Sequence, residues 1–200
     1  NPFPQENLKV FLRGIDTTYA QREQTVREVA MSIGAMMEAR AGNYLVFFPS
    51  HAYRRRVHDQ FCRLYPQVRA PVQQDAMTQT QRADYLELFV DSVQSAMVAF
   101  AVMGGIFGEG IDLTGRRLIG VAVVGVGRPP RTLERDLIRE YHTGQGEDGD
   151  AFAYVVPGMN KVLQAVGRLI RTAEDQGIAM LMDQRFLQDR YQSLMPPWWQ

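Results

Sequence analysis

Apolar residues in this chain fall into short unbroken runs, separated by longer stretches in which they recur every three or four positions. The short runs at 8–12, 44–48, 98–103, 118–124 and 178–182 read as strands. The run at 118–124 is rich in β-branched residues, as a central parallel strand requires. Residues 18–40, 51–64, 78–92, 131–141 and 160–171 carry helical periodicity, with Thr78 placed as an N-cap. A sixth, shorter strand is expected at 68–72, and the acidic, glycine-rich stretch 143–150 reads as a solvated loop. Strands alternating with helices predict an α/β fold, with a mostly parallel central sheet and helices on both faces. Ligands of such sheets bind beyond the carboxyl ends of the strands. That rule directs attention to Pro49 and Ser50, to the glycine-rich stretch 104–112, and to the segment after Gly125.

The stretch 160–171 carries the most specific pattern. If it is one helix, advancing 100° per residue puts Arg168 about 40° and Arg171 about 20° from Gln164, with Lys161 near 60°. Four long polar side chains would then form one stripe, opposite Val162, Leu163, Val166, Leu169 and Ile170, with the two guanidinium groups projecting from the sheet's ligand edge. No acidic residue falls within 160–171, so the usual ion pairing along a solvated helix face is missing inside the stretch; Asp175, four positions after Arg171, lies beyond it. Gly167 in mid-helix would cost about 1 kcal/mol and calls for a packing reason.

Composition narrows the function classes. The 200 residues suit one domain, and 22 basic residues balance 22 acidic ones, so net charge names no partner. Only Lys9 and Lys161 are lysines; the remaining basic residues are arginines, whose planar forks suit phosphate and carboxylate. Cys62 is the single cysteine, which excludes an internal disulfide and a cysteine-built metal site, and suits a reducing, cytoplasmic setting. No apolar stretch approaches the roughly 20 residues of a membrane span, so no membrane partner is expected. The glycines at 144, 146 and 149 formally fit a dinucleotide fingerprint, but they follow a helix and sit among acidic residues. Arg54, Arg55 and Arg56 either grip phosphates or form a solvated helix face; their consecutive positions point three ways and leave both readings open.

Four words in the sequence together resemble a known family. Gln164-Ala-Val-Gly-Arg168-Leu-Ile-Arg171 resembles the QxxGRxxR box of superfamily 2 helicases. Its continuation, Asp175-Gln-Gly177 and Met182-Asp-Gln-Arg-Phe186, is similar to the DinG/XPD branch. Gly104-Gly-Ile-Phe-Gly-Glu-Gly-Ile-Asp112 resembles that branch's motif V, and Tyr44-Leu-Val-Phe-Phe-Pro-Ser50 its motif IV. The resemblance implies a second RecA-like motor domain over residues 1–200, with a leading linker at 1–7 and a tail from about 190. It implies that Arg168 and Arg171 act as arginine fingers, that Gln164, Gly110 and Asp112 attend ATP, and that Ser50, His51, Gly104 and Gly105 lie against single-stranded DNA. ATP with Mg2+ would be held mainly by a first RecA-like domain, which also carries any iron–sulfur cluster; no metal ligand is expected in this chain. The function implied is 5′-3′ DNA unwinding with a role in DNA repair, inactive in this domain alone. The alternatives are a non-catalytic RecA-like scaffold and a nuclease-fused relative.

Overall fold

The computed structural model describes residues 4–91, 95–104, 113 and 115–199. Five parallel strands form one sheet: β1 (Leu8–Arg13), β2 (Asn43–Phe48), β3 (Met97–Val102), β4 (Gly120–Val124) and β5 (Gly177–Met182), in spatial order β1-β5-β4-β2-β3. The helices are α1 (Arg22–Glu38), α2 (His51–Leu64), α3 (Gln79–Glu87), α4 (Leu133–Gly144), α5 (Val156–Val166) and the single turn α6 (Asp189–Gln192). Central β2 and β4 are buried at every position, whereas β1 at the edge alternates half-buried with exposed residues. That contrast follows from a sheet covered on both faces in its middle.

Two apolar layers sandwich the sheet. On one face Val29, Ile33, Tyr53, Val57 and Phe61 from α1 and α2 meet Val46, Phe48, Phe100 and Val124. On the other, Tyr85 and Phe89, and Met159, Val162, Ala165 and Val166 of α5, meet Leu45, Phe47, Ala99, Val123 and Leu181. Helix α2 starts where the sequence says it should, because the Ser50 hydroxyl accepts a hydrogen bond from the Tyr53 amide at 3.3 Å. Its buried Tyr53, Val57 and Phe61 recur every four residues and face the sheet. Helix α3 is closed by a reciprocal capping box between Thr78 and Gln81.

Several expectations are corrected. The sheet has five strands, not six, among the described residues. Residues 69–73 run beside β3 but make only isolated bridges, Arg69 to Met97 and Val72 to Phe100. Pro71 has no N–H to give, so the ladder cannot continue through it. The acidic stretch 143–150 is exposed from 143 to 148, as a solvated loop should be, but it is shorter than expected: α4 runs to Gly144, and Gly149 is buried, where a β-carbon would stand 2.1 Å from the Arg139 carbonyl oxygen. The expected helix 160–171 begins earlier and ends earlier. A π-turn, Ala151–Val155, leads into α5, and α5 stops at Val166 with Gly167 as its C-cap.

The order of strands sets the ligand edge. From β2 the chain goes outward to β3, and from β4 it goes outward the other way to β5. The loops leaving β2 and β4 therefore diverge at their carboxyl ends and open a crevice there.

Candidate functional site

Ser50 and His51 follow β2 directly and stand at this carboxyl edge, with Gly104 two residues past β3. The Ser50 hydroxyl is committed to capping α2, which fixes the backbone at the crevice. Gly104 has φ of +71°, a conformation glycine adopts without penalty. A β-carbon there would stand 3.3 Å from Lys161 Cε, so the lysine's stem lies against the Gly104 backbone. Gly105, Gly110 and Asp112 lie outside the described residues.

Across the crevice, Gly127 has φ of +66° and lies so close to α5 that a β-carbon would meet the Gly158 carbonyl oxygen at 2.8 Å. This contact, with that of Lys161, docks the first half of α5 at the carboxyl edge. From there α5 runs back across the sheet, antiparallel to the strands, so its end reaches their amino edge. Leu169 packs on Gly177, the first residue of β5.

The QxxGRxxR segment therefore straddles a helix end. Gln164 is exposed on α5, Arg168 is 6% exposed, and Arg171 is exposed beyond the helix. The expected single stripe of Lys161, Gln164, Arg168 and Arg171 does not exist. The turn at Gly167 rotates Arg168 inward, with its amide 3.4 Å from the Ala165 carbonyl. Nor do the arginines project from the carboxyl edge that holds Ser50, His51 and Gly104. They stand near the opposite edge.

Asp175 organises that edge. One carboxylate oxygen accepts the amides of Arg171 and Thr172, each at 2.8 Å, and the other accepts the amide of Gly115 at 3.0 Å. Burial pushes the Asp175 carboxyl up, but these amides, Arg171's first, outweigh it and hold the group below its usual range. The clasp ties the turn that carries Arg171 to Gly115, which leads into β4. Thus the stretch from Gly104 to Gly115 begins at the carboxyl edge near Ser50 and ends at the amino edge beside Arg171. Among the described residues, the Arg171 guanidinium has no acidic partner. A fixed backbone with an unopposed, exposed cation can deliver charge to an anion brought from outside.

A second knot sits at the carboxyl end of β5. Asp183, wholly buried, accepts Arg185 Nε at 2.8 Å and Nη2 at 2.7 Å, and also the Thr17 hydroxyl. It locks β5 to the segment after β1 and is fully paired, so it reads as structural. Sequence reasoning saw Met182 to Phe186 only as part of a resemblance. It also missed the Asp175 clasp and a cluster of Arg54 and His51 with Asp75 beside β3. Trp198 and Trp199 are half-buried, and Trp199 packs against this domain's own core. Among the described residues no three His, Cys, Asp or Glu side chains are placed to hold a metal ion, and no helix is long and apolar enough to cross a membrane.

Comparison with known proteins identifies the family and the fold. The helicase C-terminal domain family model matches residues 33–200. The chain is 28% identical to a regulator of telomere elongation helicase 1 homolog from Oryza sativa subsp. japonica, over 92% of this chain and 21% of that protein. It is 24% identical to a probable ATP-dependent helicase of Methanocaldococcus jannaschii, over 93% of this chain and 30% of that protein. The chain thus spans less than a third of these relatives. Among solved structures, apo XPD superposes with a TM-score of 0.75 at 18% identity, over 94% of this chain and 38% of that one. The C-terminal domain of the DEAD-box protein Dbp5 gives 0.55 at 12% identity, over 96% and 83%. With a RecA-like sheet, motifs in order and these relatives, the chain belongs to the helicase C-terminal domain family, as a second motor domain of the DinG/XPD branch of superfamily 2.

Proposed function

We propose that this domain is half of an ATP-driven DNA-unwinding motor, supplying positive charge from Arg171 to a nucleotide held mainly by a first RecA-like domain. The observation that carries this reading is the exposed Arg171 guanidinium, without an acidic partner among the described residues, on a backbone clamped by Asp175. Phosphoryl transfer is catalysed by positioning and charge stabilisation, and a supplied arginine is worth ~10³–10⁵ in rate. At 1.36 kcal/mol per decade that is about 4–7 kcal/mol of barrier. Arg168, buried three residues before Arg171, is the second candidate for a phosphate contact.

Exposed Gln164 would line the cleft between the motor domains, with Gly110 and Asp112 approaching the nucleotide from the 104–115 stretch. Mg2+ would be held with the nucleotide, mainly by the first domain. Ser50, His51 and Gly104 would carry the single strand along the carboxyl edge. Gly104 stands at that edge and Gly115 at the arginine edge, so the sequence joining them would couple closure on ATP to grip on DNA. Unwinding polarity of 5′-3′, a role in DNA repair and a cytoplasmic setting complete the reading.

The experiment is the ATP turnover of Arg171→Ala in the polypeptide that joins this domain to its first motor domain. Turnover is expected to fall by at least a thousandfold while nucleotide affinity stays within a few-fold. Unchanged turnover removes the arginine from the chemistry.

A further inference from the structure

Beside the carboxyl end of β3, two arginines and a histidine converge on one carboxylate. Asp75 Oδ1 lies 2.8 Å from His51 Nδ1 and 3.4 Å from Arg54 Nη2, and Oδ2 lies 3.0 Å from Arg55 Nη1. Arg54 is the anchor. Its side chain is only 3% exposed, it donates to the Gln73 carbonyl, and its Nε has no hydrogen-bond partner among the described residues. Gln73 in turn holds β3, its amide donating to the Phe100 carbonyl at 2.8 Å and its side-chain oxygen accepting the Val102 amide at 2.7 Å. Burying a guanidinium is expensive, so a fold that buries Arg54 at a ligand edge has fixed a charge there deliberately.

Asp75 is the opposite kind of residue. Its side chain is 59% exposed, on a segment outside every helix and strand, and it rims an open cleft of about 470 Å³ whose walls include His51, Gln73, Thr78 and Arg82. The contact with His51 is also contradictory. His51 Nδ1 stands 2.8 Å from Asp75 Oδ1 and 2.8 Å from Arg54 Nη1. One nitrogen cannot donate to the carboxylate and accept from the guanidinium at once. Burial pushes the imidazole pKa down, Asp75 raises it, and Arg54 and Arg55 lower it again, leaving it below its ordinary value.

We propose that Asp75 is a built-in stand-in for a strand phosphate, occupying a backbone-phosphate subsite formed by His51, Arg54 and Arg55 until single-stranded DNA displaces it. A phosphodiester asks for what these groups offer, fork donors converging on two oxygens. It arrives along the edge already occupied by Ser50 and Gly104, and Arg82 stands at the cleft mouth for the next phosphate. The proposal rests on the strand-track reading above and adds a self-occluding step to it. A track plugged by its own carboxylate holds DNA less tightly than its charge allows, which suits a motor that must release the strand each cycle.

The test is fluorescence anisotropy of the 200-residue chain with labelled oligo-dT of about 15 nucleotides, across a salt series. Asp75→Asn should bind about three- to tenfold more tightly than wild type, with a salt slope steeper by about 0.7. Adding Arg55→Gln to Asp75→Asn should cancel the gain. Glu38→Gln removes one negative charge at the end of α1, on the opposite edge of the sheet, and should change little. Asp75→Ser, measured alongside with melting curves, keeps the reading independent of how well one variant folds. Wild-type binding with no gain in either Asp75 variant beyond that of Glu38→Gln, or a gain that survives Arg55→Gln, overturns the stand-in and leaves the track. No DNA binding by any variant overturns both.

Discussion

Replacing Asp175 by asparagine should loosen the Arg171 turn and destabilise the whole domain. The carboxylate accepts three amide hydrogens, two on one oxygen at 2.8 Å and one on the other at 3.0 Å. Asparagine keeps one acceptor oxygen. In its better orientation it retains Arg171 and Thr172 and turns an NH2 towards the Gly115 amide. A hydrogen bond to a charged acceptor contributes about 1.5–3 kcal/mol, and the two retained bonds weaken on losing the charge, so the cost is about 3 kcal/mol. In a domain of this size each kcal/mol moves Tm by about 2–4 °C, giving a drop of about 6–12 °C.

The pH dependence has a definite sign. The folded-state pKa of Asp175 lies below its unfolded value, so its contribution is complete above the unfolded value and is lost as pH falls through the folded one. The gap between wild type and Asp175→Asn should therefore hold at neutral pH and close below about pH 4. Thermal melts by circular dichroism across pH measure this, with amide exchange at Gly115, Arg171 and Thr172 locating it. A melting shift under 2 °C at neutral pH, or a gap that widens in acid, refutes the clasp.

Asp183→Ala should cost about 3–5 kcal/mol in urea unfolding, because it strands Arg185 and the Thr17 hydroxyl at a buried position; a cost under 1 kcal/mol means the pair is dispensable. Gly127→Ala should cost about 2–4 kcal/mol, combining a left-handed backbone with a β-carbon 2.8 Å from the Gly158 carbonyl oxygen and 2.9 Å from Met103 Sδ. Full stability in that variant would show that α5 can shift away from the β4 loop.

Where local chemistry and the core agree, the chain is easy to read. Helix α2 runs from His51 to Leu64 as expected, because the Ser50 cap and the Tyr53, Val57, Phe61 repeat give the same boundary. Helix α5 shows the reverse. Its apolar spacing continues through Leu169 and Ile170, so periodicity extends the helix to Arg171. The chain in fact turns at Gly167, and Leu169 is buried by folding back on Gly177. A glycine at a helix end and one in mid-helix look the same in the pattern.

The early start of α5 was hidden by Pro157, which suggests a boundary. The π-turn Ala151–Val155 widens the helix just before that ring, where a tighter turn would clash with it. The misplacement of the arginines has a different origin. A rule about the carboxyl ends of strands covers loops leaving strands, whereas Arg168 and Arg171 lie on a segment returning to one. Motif order survives such errors because it does not depend on where a helix stops.

The measurement that bears most directly on this account is single-turnover ATP hydrolysis by wild type, Arg171→Lys and Arg171→Ala, in the polypeptide joining both motor domains and saturated with nucleotide and single-stranded DNA. The account predicts a hydrolysis step slowed by at least ~10³ in Arg171→Ala, with Arg171→Lys in between, since a point charge restores part of what a planar fork supplies. A hydrolysis step as fast in Arg171→Ala as in wild type would contradict it.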